Sequence, residues 1–158
     1  MKQSLKTGFS FGLTSGVITT LGLMVGLHAG THSRLAVIGG IVTIALADAL
    51  SDALGIHIAE ESKNNGAVSE IWESAIATFF AKFLIAMTFV VPVLLLPLEE
   101  AMMVSVGWGL ALLAVLSYFL ARAQQIPPWK VIVEHVVIGV SVIMLTHYVG
   151  DWIHGVWS

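Results

Sequence analysis

Cysteine is absent from the chain, which excludes disulfides, thiolate metal ligands and a cysteine nucleophile. Charge is scarce as well. Only 11% of the 158 residues are Asp, Glu, Lys or Arg, against about 25% in soluble domains. The net charge is −3 and no basic run occurs, so nucleic acid is not an expected partner. No internal repeat and no soluble domain interrupts the sequence.

What fills the chain is apolar. Hydrophobic residues make up 57% of it, and the mean hydropathy is +0.92. A soluble fold of this length cannot enclose so much apolar surface, whereas a bilayer solvates it. A spanning helix needs roughly 20 mainly apolar residues, because its backbone must satisfy its own hydrogen bonds in hydrocarbon. Five stretches qualify: 8–27, 34–58, 71–95, 102–121 and 130–149. The expected fold class is therefore all-α, a single transmembrane domain over residues 1–158 with five spans. Pro127-Pro128 cannot continue a helix and marks the break before the fifth. The start, Met1-Lys2-Gln3-Ser4-Leu5-Lys6, resembles a signal peptide. The apolar stretch behind it is too long for a signal core and no small-x-small cleavage site follows, so it reads as a retained first span.

Lys and Arg placement sets the expected orientation. With the N-terminus in the cytoplasm, that side carries Lys2, Lys6, Lys63, Arg122 and Lys130, and the other side carries only Arg34. The C-terminus is then outside. Trp129, Trp152 and Trp157 fall near span boundaries, where interfacial aromatics belong.

Ionisable groups within a membrane are costly, so each is a functional hypothesis. Span two carries Asp48 and Asp52, four residues apart and hence on one helix face. Span three carries Glu73 and Lys82, and span five Glu134, His135 and His147. At ~1.5 Å rise per residue, Asp48 and Lys82 both lie roughly 15 Å from the cytoplasmic end, so a contact between them is expected. Asp52, Glu73 and Glu134 fall nearer that end, where His57, Glu60, Glu61 and Glu70 crowd the same mouth. Together they form an acidic, histidine-bearing vestibule leading to a midplane Asp–Lys pair. Carboxylate and imidazole suit Fe²⁺, Mn²⁺ and similar divalent ions. Such a vestibule concentrates cations, and buried carboxylates lend themselves to proton coupling. The plain alternative is a satisfied internal bridge beneath a solvated acidic loop.

A second set lies at the outer end of span five. His147, Asp151 and His154 are spaced by four and three, on one face of a continuing helix. They could form an outer metal site, but no fourth ligand is evident, and an amphipathic helix end with imidazole tips at the interface is the favoured reading. Span one holds no charge but has Gly8, Gly12 and Gly16 at four-residue spacing, with Thr14, Ser15, Thr19 and Thr20 adding hydroxyls. Small-xxx-small faces let helices approach closely. The face reads as helix packing, and further as the seam of a homodimer whose hydroxyls line a path.

Two stretches bear a family likeness. Gly8-Phe9-Ser10-Phe11-Gly12-Leu13-Thr14 and Ala47-Asp48-Ala49-Leu50-Ser51-Asp52-Ala53-Leu54-Gly55, with Ala59-Glu60-Glu61-Ser62 behind the second, resemble the first two spans of the vacuolar iron transporter family. The order of two spans, a cytoplasmic connection and three spans is also similar. The resemblance implies a dimeric carrier that exports ferrous iron or manganese from the cytoplasm in exchange for protons. The chain departs from the pattern in three places. Phe11 stands where the family has an Asp, and Asp52 where it has a Met. Only residues 59–70 occupy the place of the family's helical cytoplasmic metal-binding domain.

The expectation is thus a membrane transporter of divalent transition-metal ions, not an enzyme. No permanent cofactor is expected; the ion is substrate, and protons, the bilayer and a second copy of the chain are partners. Asp48, Asp52, Glu73, Glu134, His57, Glu60 and Glu70 are the candidate ligands, with Lys82 as the competing charge. Two alternatives stand beside it. One is an intramembrane metalloenzyme, although His-Glu-x-x-His is absent. The other is a structural or regulatory membrane dimer that transports nothing.

Overall fold

The computed structural model describes residues 3–63 and 67–157. Six helices follow one another: α1 (Gln3–Thr31), α2 (Arg34–Ser62), α3 (Val68–Thr88), α4 (Val90–Leu95), α5 (Leu98–Gln124) and α6 (Pro128–Trp157). No strand occurs among the described residues. Among the described residues five spans are long and apolar enough to cross a membrane, because α3 and α4 form one span, Val68–Leu95. Each exceeds its expected bounds, since the helices run on through polar ends.

The helix ends have local causes. Ser33 caps α2 by accepting from the Ala36 amide at 3.3 Å. His32, with φ of 49°, turns the chain out of α1 in the left-handed region. Gln125 does the same for α5 (φ 57°), and the Pro127-Pro128 pair follows. Between α3 and α4, Pro92 has no amide to offer the Thr88 carbonyl and its ring crowds it. The Phe89 amide tightens onto Ala86 O at 3.1 Å, and the helix resumes at Val90.

α1 is the most enclosed span and packs against α2, α3, α5 and α6. Its core contacts come from Val17, Leu21 and Met24, which meet Val37, Ile41, Phe89, Val93 and Leu113. Most other large apolar side chains, among them Leu35, Leu50, Leu84 and Phe119, face outward as a bilayer-facing surface should.

Small residues govern these contacts. A Cβ on Gly12 would lie 2.6 Å from Thr78 O, so α1 and α3 touch backbone to backbone. A Cβ on Gly150 would lie 2.7 Å from the Ala29 Cβ, a second close approach between α1 and α6. Gly8 and Gly16 also face α3, at Ser74 and Lys82. The expectation that this glycine face forms a seam between two copies is therefore corrected: it is filled by α3 of the same chain. Helical periodicity reports a close-packing face but not which helix meets it.

Candidate ion-binding site

Lys82 is almost completely buried at 2% exposure. α3 presents it toward α2, where its Nζ lies 2.5 Å from Asp48 Oδ2 and also donates to Asp52 Oδ2. The contact expected between Asp48 and Lys82 is present. Asp52 joins it, rather than lying apart in a vestibule. One helical turn is about 5.4 Å, and a single ammonium placed between two carboxylates one turn apart reaches both.

Ser15 of α1 completes the group. Its hydroxyl donates to Asp52 Oδ2 at 2.8 Å and accepts from Lys82 Nζ at 2.9 Å. Gly16 beside it allows α1 to lie against the Lys82 stem, with a would-be Cβ 3.2 Å from Lys82 Cγ. Three helices thus converge on one polar knot. The two carboxylates are not equivalent. Asp52 accepts hydrogen bonds from both Ser15 and Lys82. Asp48 Oδ2 is enclosed, held by charge, and has no hydrogen-bond partner among the described residues. Both carboxylates keep some exposure, 27% for Asp48 and 20% for Asp52. Formally the knot carries one negative charge in excess.

The remaining sequence candidates are dispersed. His57 meets Trp72 at a tilt of 57°, with ring centres 4.5 Å apart, and its Nδ1 is enclosed. Glu60 pairs with Lys63 at 2.7 Å at the end of α2. Glu70, in the first turn of α3, and Glu73, one turn on, are half-buried. Glu134 is exposed on α6, which packs on α1 and α5 and not on the α2 face that carries the aspartates. It does not face the knot as expected. Among the described residues, no three histidine or carboxylate side chains converge closely enough to hold a metal ion as they stand.

At the outer end, His147 pairs with Asp151 at 3.3 Å, and both are exposed. His154 turns away from them toward His32 (5.0 Å between ring centres) and the Gly30 carbonyl. His32 in turn meets His28 (5.5 Å), whose Nε2 lies 3.2 Å from Glu99. The expected triplet is thus divided by the end of α1 packing against α6.

Two polar contacts were not anticipated from the sequence. Ser15 is one. The other is Ser117, fully buried on α5, which meets His135 Nδ1 at 2.7 Å. The Ser117 oxygen also lies 2.5 Å from Leu113 O; with its proton on that carbonyl, His135 is the donor from Nδ1. That polarity is the reverse of a serine activated by a histidine base.

The fold and the site define a multi-pass, all-α integral membrane protein with a charged knot inside its helical bundle. The sequence model of the VIT family matches residues 56–151, more than half of the chain, and the protein belongs to that family. Membership brings membrane metal-ion transport as the general function, the members of the family being transporters. The connection between α2 and α3 spans only residues 63–67, so no cytoplasmic metal-binding domain is inserted there. No curated protein and no solved structure matches the chain. The matched stretch begins at Ile56, beyond Asp48 and Asp52.

Proposed function

We propose that this protein carries a divalent transition-metal ion, Fe²⁺ or Mn²⁺, out of the cytoplasm in exchange for protons, with Asp48 and Asp52 as its ligands. One observation carries the reading: two carboxylates one turn apart within a span share a single buried ammonium from Lys82. An ionised pair inside a membrane is costly unless it serves a path or a switch. Lys82 stands where a cation would stand. A divalent ion entering between the carboxylates displaces the ammonium and meets oxygen donors suited to ions of intermediate hardness. Asp48 Oδ2 and Asp52 Oδ2, both on the Lys82 ammonium, offer the first two oxygens. The Ser15 hydroxyl supplies a third. Glu73, His57, Glu60 and Glu70 belong to the end from which the ion approaches and raise its local concentration there.

Lys6, Lys63, Arg122 and Lys130 lie at one end of the bundle and Arg34 at the other, a bias that favours a cytoplasmic location for the basic end. A homodimer belongs to this reading through the family, with a seam other than the Gly8–Gly12–Gly16 face.

A second reading has its own support. Lys82 is satisfied by two carboxylates and a hydroxyl, as a purely structural bridge would be. Proteoliposome uptake of Fe²⁺, Mn²⁺, Co²⁺ and Zn²⁺, with and without a pH gradient, separates the two. Gradient-dependent uptake lost in Asp48→Asn and Asp52→Asn proteins that remain folded supports the carrier. Uptake unchanged by both substitutions sinks the assigned site, and no uptake of any ion favours the bridge.

A further inference from the structure

A groove at the basic end of the bundle has no part in the charged knot. α1 and α5 cross where Leu21 seats on Gly109; a Cβ there would lie 2.8 Å from Leu21 Cγ. From that crossing toward the start of α1 the two helices part and leave a cavity of about 590 Å³. Its walls are Phe9 and Leu13 of α1 and Leu116 and Leu120 of α5. Its mouth is polar, with Lys6 on one side and Gln124 on the other. The volume falls within the range of small-molecule sites, roughly 300–1,000 Å³.

The mouth lies at the level of the membrane interface. Trp129, exposed at the start of α6, carries Lys130 against its ring at 5.7 Å, an arrangement suited to the headgroup layer. Arg122 is exposed in the last turn of α5, next to the groove residue Ala123. No acidic side chain among the described residues lines the groove. Among the described residues no carboxylate forms an ion pair with Lys6. The carboxylates at this end lie on other helices: Glu60, paired with Lys63, and Glu61 end α2, Glu70 and Glu73 are in the first two turns of α3, and Glu134 is on α6.

We infer that this groove binds an anionic glycerophospholipid, one acyl chain lying between Phe9, Leu13, Leu116 and Leu120, and the phosphate held at Lys6. The apolar walls open to the bilayer, so hydrocarbon is their natural filling. Charge decides the headgroup, since an unpaired ammonium at the mouth favours an anion over a zwitterion. A second groove supplies an internal contrast. It lies between α1 and α6 near the outer end, with a similar volume of about 630 Å³. Its lining carries no charged or amide side chain, and its Thr19 and Thr146 hydroxyls are engaged by their own helix. It has nothing with which to select a headgroup.

The inference does not depend on ion transport. Native mass spectrometry of the full chain, titrated with phosphatidylglycerol and with phosphatidylcholine of identical acyl chains, tests it directly. A single interfacial Lys contributes a preference of about fivefold for the anionic lipid. The Lys6→Ala protein should fall to near parity and Lys6→Arg should keep the preference. Leu116→Trp, which fills the groove without touching its charge, should lower the occupancy of both lipids while helicity is retained. Equal binding of the two lipids by the wild type overturns the proposal, as does a preference unchanged in Lys6→Ala. If Leu116→Trp instead alters the oligomeric state and leaves lipid occupancy unchanged, a second copy covers the groove and the lipid assignment is wrong.

Discussion

Lys82 Nζ lies 2.5 Å from Asp48 Oδ2 and bonds Asp52 as well, so one ammonium on α3 holds two turns of α2. Removing one member of such a buried group leaves the others uncompensated. The cost exceeds the worth of the intact pair, because desolvation remains after the attraction is lost.

Lys82→Met is therefore expected to destabilise the protein by about 3–5 kcal/mol, the range for breaking a buried pair. The two carboxylates left behind also repel each other. Neutralising one of them in that background, as Lys82→Met with Asp52→Asn, should restore part of the loss. A double-mutant cycle of unfolding in mild detergent reads this coupling. Strict additivity of the two substitutions would mean that the groups do not interact.

Ser15 links α1 to the same knot through bonds to Asp52 and from Lys82. Bonds to charged groups contribute roughly 1.5–3 kcal/mol. Ser15→Ala should cost about that much in unfolding stability, and Ser15→Thr, which keeps the hydroxyl, clearly less. If Ser15 is also a ligand, Ser15→Ala weakens ion uptake at low ion concentration before it lowers the maximal rate. Uptake at saturating and subsaturating ion concentrations separates the two effects.

Several of these relations were legible in the sequence and others were not, for physical reasons. Helical rise placed Asp48 and Lys82 at one depth, and depth is nearly all that a straight span needs. The same arithmetic set Asp52 apart, because it ignored the reach of a long side chain across one turn. Ser15 was inconspicuous, since hydroxyls in apolar helices commonly bond their own backbone. Thr14 does so to Ser10 O at 2.9 Å and Thr19 to Ser15 O at 3.0 Å. Glu134 and the Gly8–Gly12–Gly16 face failed for a shared reason. Spacing along a helix fixes which residues lie together but not which neighbour they meet. The order of packing, with α1 central and α6 distant from the aspartates, is a property of the assembled bundle.

Close packing of α1 on α3 is a condition for the knot, which gives glycine substitutions opposite signs at different positions. Gly12→Val places a Cβ 2.6 Å from Thr78 O, against backbone that cannot move without α3. It should separate the helices, lower the melting temperature and remove Ser15 from Lys82. Gly107 meets nothing within 4 Å. Gly107→Ala should be neutral or stabilise the protein by up to about 1 kcal/mol, the helix preference of Ala over Gly. Equal melting temperatures for the two variants would contradict the packing described.

Ser117 and His135 supply a test that also bears on catalysis. Ser117 is fully buried, its oxygen lies 2.5 Å from Leu113 O and 2.7 Å from His135 Nδ1, and a proton given to Leu113 O makes His135 the donor. Ser117→Ala should leave the Nδ1 proton of His135 without a partner and cost about 1–3 kcal/mol. Replacing both, as Ser117→Ala with His135→Phe, removes the unmet donor and should cost less than the sum of the single changes. Nitrogen NMR of labelled histidine should find His135 protonated at Nδ1 in the wild type. A signal showing Nδ1 unprotonated would reverse the polarity of the bond and leave the imidazole free to act as a base toward Ser117. With Nδ1 protonated, the pair is a packing device between α5 and α6, and its removal should alter stability without altering the ion dependence of uptake.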